Sequence, residues 1–163
     1  MKKILVLLLL SASIATSAFA SSDALEYSNS VVAIIDRCSK AESSFFAVCK
    51  TYNKEDIQAA LKTFESELND ASSELNELSN DADYTAFKAA ARKLVDAYQM
   101  LMVSDYKTYA HLYGLSSDEF SKDDEKLSNT VSKRINKTMD KAFAVFGKAQ
   151  EKFAKENDFT VGN

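Results

Sequence analysis

The sequence predicts an all-α fold, an antiparallel up-down four-helix bundle behind a cleaved signal peptide. Three observations support this. The 163 residues include no proline and only three glycines, too few turn formers for an all-β sandwich that turns roughly every 8–12 positions. Ile57, Leu61, Phe64, Leu68, Ala71, Leu75 and Leu78 recur at alternating steps of four and three. That is the a/d stripe of a helix, where a strand would show period two. Apolar residues make up 46% of the chain, which suits a packed core and not a disordered chain.

Residues 1–20 read as a signal peptide. Lys2 and Lys3 form a positive n-region, Ile4 to Leu10 an unbroken apolar run, and Ala18-Phe19-Ala20 the small-x-small pattern before a cleavage site. The run is shorter than the roughly 20 residues that span a bilayer. No cysteine follows it directly to take a lipid. Residues 21–163 are then expected to form one exported helical-bundle domain, in the periplasm or at the cell surface of a bacterium. The 20 basic residues, less Lys2 and Lys3, stand against 24 acidic ones, a net charge of −6. This disfavours nucleic acid and anionic membranes, which demand clustered Lys and Arg. No later segment is apolar enough to predict a membrane span.

The first helix is expected over Ala24 to about Tyr52. Val31, Ile35, Cys38, Phe45, Cys49 and Tyr52 share a face that Val32, Ile34 and Phe46 broaden, although Glu42 interrupts it. The second runs Glu55–Ser79, with Asn53 as N-cap and Glu55 and Asp56 in the first turn, where the helix dipole favours acids. A third starts at a cap on Asp81 or Asp83. It carries Phe87, Ala91, Leu94, Tyr98, Leu101 and Leu112 and stops at Gly114, expected in a left-handed C′ conformation. Ser116 to Glu119 resembles a capping box and Ser121 is a second candidate cap. The fourth helix extends to about Asn157 on Leu127, Val131, Ile135, Met139, Ala142, Phe146, Ala149 and Phe153. Helices of about 25–35 residues with short connections make a bundle roughly 40 Å long.

Three stretches give a family resemblance: Tyr27-Ser28-Asn29, Asp105-Tyr106-Lys107 in a Tyr-rich third helix, and Lys148-Ala149-Gln150-Glu151-Lys152-Phe153-Ala154-Lys155-Glu156-Asn157-Asp158-Phe159-Thr160-Val161. With them the chain resembles a family of small exported bacterial helical surface proteins of unknown function. The resemblance implies a bundle fold and cell-envelope placement, and supplies no activity. The two cysteines depart from the family's usual pattern.

Candidate chemistry is sparse. Cys38 and Cys49 lie eleven residues apart, about 16 Å on a continuous helix, whereas a disulfide needs Cα atoms within about 7 Å. A continuous helix therefore leaves two unpaired, buried thiols, and a break near Glu42–Ser44 permits a disulfide. No Cys-x-x-Cys spacing points to metal or redox chemistry. His111, the sole histidine, has Met100, Met102 and Met139 as conceivable haem co-ligands, but the Cys-x-x-Cys-His run for covalent haem attachment is absent. Asp118, Glu119, Asp123, Asp124 and Glu125 lack the alternating calcium-loop pattern and read as a helix-start cluster. Asn136-Lys137-Thr138 fits a glycosylation sequon but falls mid-helix. Lys133, Arg134, Lys137, Lys141, Lys148, Lys152 and Lys155 alternate with acids as a solvated face.

The most distinctive segment is the third helix. Tyr98-Gln99-Met100-Leu101-Met102-Val103 is apolar nearly all round, and Tyr106, Tyr109 and Tyr113 follow at helical spacing. Bundle core accounts for part of this. Met100, Met102, Tyr106, Tyr109 and Tyr113 are also candidates for a partner surface, because Met adapts its shape and Tyr supplies rigid amphipathic area. The leading expectation is a non-enzymatic envelope protein, without cofactor or metal, that binds a protein partner or its own copy. The alternative is a carrier of an apolar small molecule or haem, with a cavity among Phe45, Phe64, Leu101 and Phe146.

Overall fold

The computed structural model describes residues 22–161. The predicted signal peptide lies outside the described residues. Helix α1 spans Ser22–Cys49, α2 Lys54–Glu77, α3 Thr85–Leu101, α4 Lys107–Tyr113 and α5 Lys122–Glu156, with a π-helical turn at Met102–Tyr106 between α3 and α4. Because α3, the π-turn and α4 are contiguous, they act as one arm, and the described chain is an all-α four-helix bundle with no strand. α1 packs along α2 and α3 along α5, while α2 joins the two pairs through contacts to α3 and α4.

The α2 stripe is the backbone of the core. Ile57, Leu61, Phe64, Leu68, Ala71 and Leu75 are all buried, and each removes its apolar surface from water at about 25 cal/mol per Å2. Asn53 caps α2 by accepting the Asp56 N–H at 3.1 Å. At the other end, Lys88 of α3 donates to the Leu78 carbonyl at 2.6 Å and to Asn80 Oδ1 at 2.8 Å. It brings a cation to a helix C-terminus that has none in its own last turn.

Several boundaries differ from expectation for local reasons. α1 stops at Cys49, not Tyr52. Lys50 and Thr51 close tight turns back onto Ala47 and Val48, and Tyr52 takes a left-handed φ of 56°. Neither Asp81 nor Asp83 caps α3, which starts after Tyr84 without a side-chain cap. Asp81 instead accepts the Asp83 N–H, and its carbonyl takes the Thr85 hydroxyl. Gly114 is not left-handed: its φ is −91°, within the right-handed region. A Cβ there would lie 3.3 Å from both the Ala110 carbonyl and Lys54 Cγ, a tight fit. Ser116 and Glu119 bond each other in a turn before α5. Ser121 is the true N-cap, in a reciprocal capping box with Asp124.

On α5, Leu127 is 44% exposed and Ser128 is buried in its place. Three successive steps of four, from Leu127 to Met139, drift about 120° around a helix, so Leu127 leaves the face while Ser128 stays on it. At the pole formed by the start of α1 and the end of α5, Tyr27, Tyr84, Phe87, Phe146, Phe153 and Phe159 form an aromatic cluster, with Phe87 and Phe153 stacked at 4.9 Å.

Candidate functional site

The π-turn decides which side chains of the third arm reach the core. Tyr98, Met102, Tyr106 and Ala110 are all buried, at three successive steps of four. On an ideal α-helix each such step rotates about 40° off the face. The wider π-turn absorbs that drift and keeps all four pointing inward. Met102 and Tyr106 are therefore core residues, at 3% and 0% exposure. Met100 faces solvent at 59%, one turn from Val103 at 75%. Tyr109 and Tyr113 are half-buried. The five residues proposed from sequence as one partner surface are thus divided between core, outer face and pole.

Glu42, which interrupts the apolar face of α1, is the polar anchor of this arm. One carboxylate oxygen accepts the Tyr98 hydroxyl at 3.0 Å and the other accepts the Tyr106 hydroxyl. Phe64 packs edge-on to both tyrosine rings, at 5.7 and 5.0 Å. Burial raises the Glu42 carboxyl above its ordinary value, and the two hydroxyls oppose that shift. Burial and the adjacent carboxylate push both tyrosines well above the ordinary phenol value. Beside them, buried Asp105 of the π-turn accepts Arg134 Nε of α5 at 2.5 Å and the Ser104 hydroxyl at 3.1 Å.

The opposite pole, where α1 turns into α2 and α4 gives way to α5, holds a cleft of about 700 Å3. Its apolar lining residues are Tyr52, Leu112, Tyr113, Leu115 and Phe120. Its polar lining residues are Ser116, Ser117, Glu125, Ser128 and Asn129. Tyr52, 67% exposed, lies nearly parallel to Tyr113 at 5.8 Å and 12°, and Tyr113 to Tyr109 at 4.3 Å and 15°. Phe46 meets Tyr109 edge-on at 5.1 Å, so the column is rooted in the core. The left-handed backbone of Tyr52 is unusual for a bulky residue and costs conformational energy. The sequence identified Tyr109 and Tyr113. Tyr52 and Phe120 were missed because a helix that ended at Tyr52 hid the turn that presents it.

Compared with known proteins, the chain matches no family model, no curated protein and no solved structure.

The remaining candidates are placed as follows. Cys38 and Cys49 are free thiols, both fully buried, so the disulfide considered from sequence is not formed. α1 runs unbroken through Glu42–Ser44 and keeps them about three turns apart. Burial pushes each thiol up to about 12. His111 is exposed in the last turn of α4 and Met100 is exposed on α3, whereas Met102 and Met139 are buried in the core. Among the described residues no group of three or more His, Cys, Asp or Glu could hold a metal ion. Asn136 is exposed within α5. Phe45, Phe64, Leu101 and Phe146, expected to line an internal cavity, are buried core residues, and the cleft lies elsewhere. No helix among the described residues is long and apolar enough to cross a membrane.

Proposed function

We propose that this is an exported, non-enzymatic cell-envelope protein whose helical bundle mediates contact with a protein partner or a second copy. The family of small surface proteins that its C-terminal stretch resembles is the proposed kinship. The observation behind the reading is the outer face of the third arm. Met100 and Val103 stand exposed one turn apart, directly outside a π-turn whose inner residues are pinned to Glu42 and Arg134. Rigid backing under an exposed apolar pair lowers the ordering cost of binding.

The test is a photo-crosslinking residue in place of Val103, expressed in the native host with the leader intact. A discrete adduct, homodimeric or heterologous, that Met100→Lys abolishes is the expected result. Monomer alone after irradiation sinks the reading. Fractionation and N-terminal sequencing of the same material should find an envelope protein beginning at Ser21, and a cytoplasmic chain that keeps Met1 would refute export.

A second reading, carriage of a small molecule, is favoured by the polar-and-aromatic cleft at the bundle's pole. Its volume falls within the roughly 300–1,000 Å3 of small-molecule sites.

A further inference from the structure

The lining of the cleft joins two sets of side chains with different chemistry. One is a tyrosine column ending at the open ring of Tyr52, joined by Phe120 and two leucines. Aromatic faces carry negative charge density and attract weakly positive C–H edges. The other set offers the Ser117 and Ser128 hydroxyls, the Asn129 amide and one carboxylate, Glu125, while the Ser116 hydroxyl already donates to Glu119. Hydroxyls and amides both donate and accept. Asn129 gives one amide hydrogen to the Glu125 carbonyl at 2.9 Å, which orients its side chain.

Charge narrows the occupant further. No Lys, Arg or His lines the cleft, so an anionic ligand meets no counter-charge and faces Glu125. The framing segments, residues 50–54 and 115–129, hold four lysines and five carboxylates. Glu119 and Asp124 are engaged by Ser116 and Ser121, and Asp123 pairs with Lys126 at 2.9 Å. Neither sign dominates, so the surroundings do not select a cation. A purely apolar ligand would desolvate the Glu125 carboxylate and the remaining Asn129 amide groups without pairing them, which is costly. The ligand that satisfies both sets is neutral, ring-shaped, apolar on its faces and hydroxylated around its edge.

We infer that the polar-and-aromatic cleft is a binding site for neutral saccharides, with a pyranose face on Tyr52 and hydroxyls directed to Asn129 and Glu125. This rests on the second reading, that the cleft is a ligand site. Tyr52 is the stacking platform, and its left-handed backbone holds the ring against Tyr113 in advance of binding. Asn129 and Glu125, one turn apart on α5, form a hydrogen-bonding ledge that reads vicinal hydroxyls.

The test is calorimetric titration of the protein with maltotriose, cellotriose and N-acetylchitotriose, with trigalacturonate as the anionic control. In parallel, N-phenyl-1-naphthylamine, a neutral apolar dye, probes the cleft by fluorescence. At least one neutral trisaccharide should bind saturably below about 10 mM, and trigalacturonate should bind at least about tenfold more weakly. Tyr52→Asn, which removes the ring but suits a left-handed backbone, and Asn129→Ala should each weaken binding about tenfold or more at unchanged helicity. Lack of saturable binding by all three neutral sugars, or binding that both variants retain, overturns the saccharide assignment. Dye binding that Tyr52→Asn removes would then leave the cleft standing as a site for another ligand. Absence of both dye and sugar binding removes the ligand-site reading as well.

Discussion

The Tyr98 hydroxyl of α3 donates to the Glu42 carboxylate of α1 across 3.0 Å and so ties the two helices together. With the matching Tyr106 bond, both carboxylate oxygens are engaged. Tyr98→Phe and Tyr106→Phe keep the rings and remove only the donors. Each should lower the unfolding free energy by about 1–3 kcal/mol, the cost of a buried polar group left unpaired. Urea denaturation at neutral pH measures this, and a loss within error for both variants would mean water replaces the hydroxyls.

The same carboxylate gives a pH dependence. Because burial raises Glu42 above its ordinary value, the folded chain holds this proton more tightly than the unfolded chain. The associated stability is complete below the unfolded value and is lost as pH rises through the raised folded value. The stability of the wild type relative to Glu42→Gln should therefore fall as pH rises across that window. A difference that is flat with pH would show that Glu42 titrates as a solvated acid.

Ser121 works in the opposite pH direction. Its hydroxyl and backbone N–H hold Asp124 below the ordinary carboxylate range. Ser121→Ala should cost about 1 kcal/mol at neutral pH, as for other N-caps. The wild type's advantage is present above the unfolded aspartate value and should shrink as pH falls through the depressed folded value. Thermal melts of the pair across acidic pH would show this convergence.

Arg134 is the solvent-facing partner of buried Asp105. Arg134→Met leaves that carboxylate desolvated without a cation, whereas adding Asp105→Asn removes the charge along with the need for it. The double variant should be more stable than Arg134→Met alone. A double no more stable than the single would place the π-turn's stability in the Ser104 contact or the backbone.

The cysteines should be chemically silent until the bundle opens. With both thiols pushed up to about 12, the thiolate fraction near pH 8 is about a thousandfold below that of a free cysteine. Alkylation should be negligible in the native state, with two thiols labelled in denaturant. An intact mass short by about two hydrogens would reveal a disulfide and refute the free-thiol state.

The helices were legible in the sequence wherever one face is apolar at regular spacing. The α2 stripe maps onto buried positions one for one from Ile57 to Leu75. What escaped were positions where a residue's role depends on a partner far along the chain. Glu42 reads as a flaw in α1 because its donors lie 56 and 64 residues away. The π-turn left a trace, the run of four-residue steps from Tyr98 to Ala110, but such a run is ambiguous until the core shows which side chains stay inside. Met102 and Tyr106 were drawn towards the surface for that reason. Tyr52 was lost because only a left-handed turn separates it from α1, and tyrosine is a poor signal for such a turn.

The aromatic cluster around Phe153 has a consequence for how the molecule is held. Tyr27 of α1 and Phe159 beyond α5 both touch that ring, at 6.1 and 6.0 Å. The two ends of the described chain therefore emerge side by side, about 40 Å from the Tyr52 cleft along α1. Anything fused or tethered to either end grips the bundle by one pole and leaves the other pointing away from the attachment. A short linker joining the ends, with new termini opened in the α2–α3 connection, would give a circular permutant in which the same cleft faces outward unobstructed.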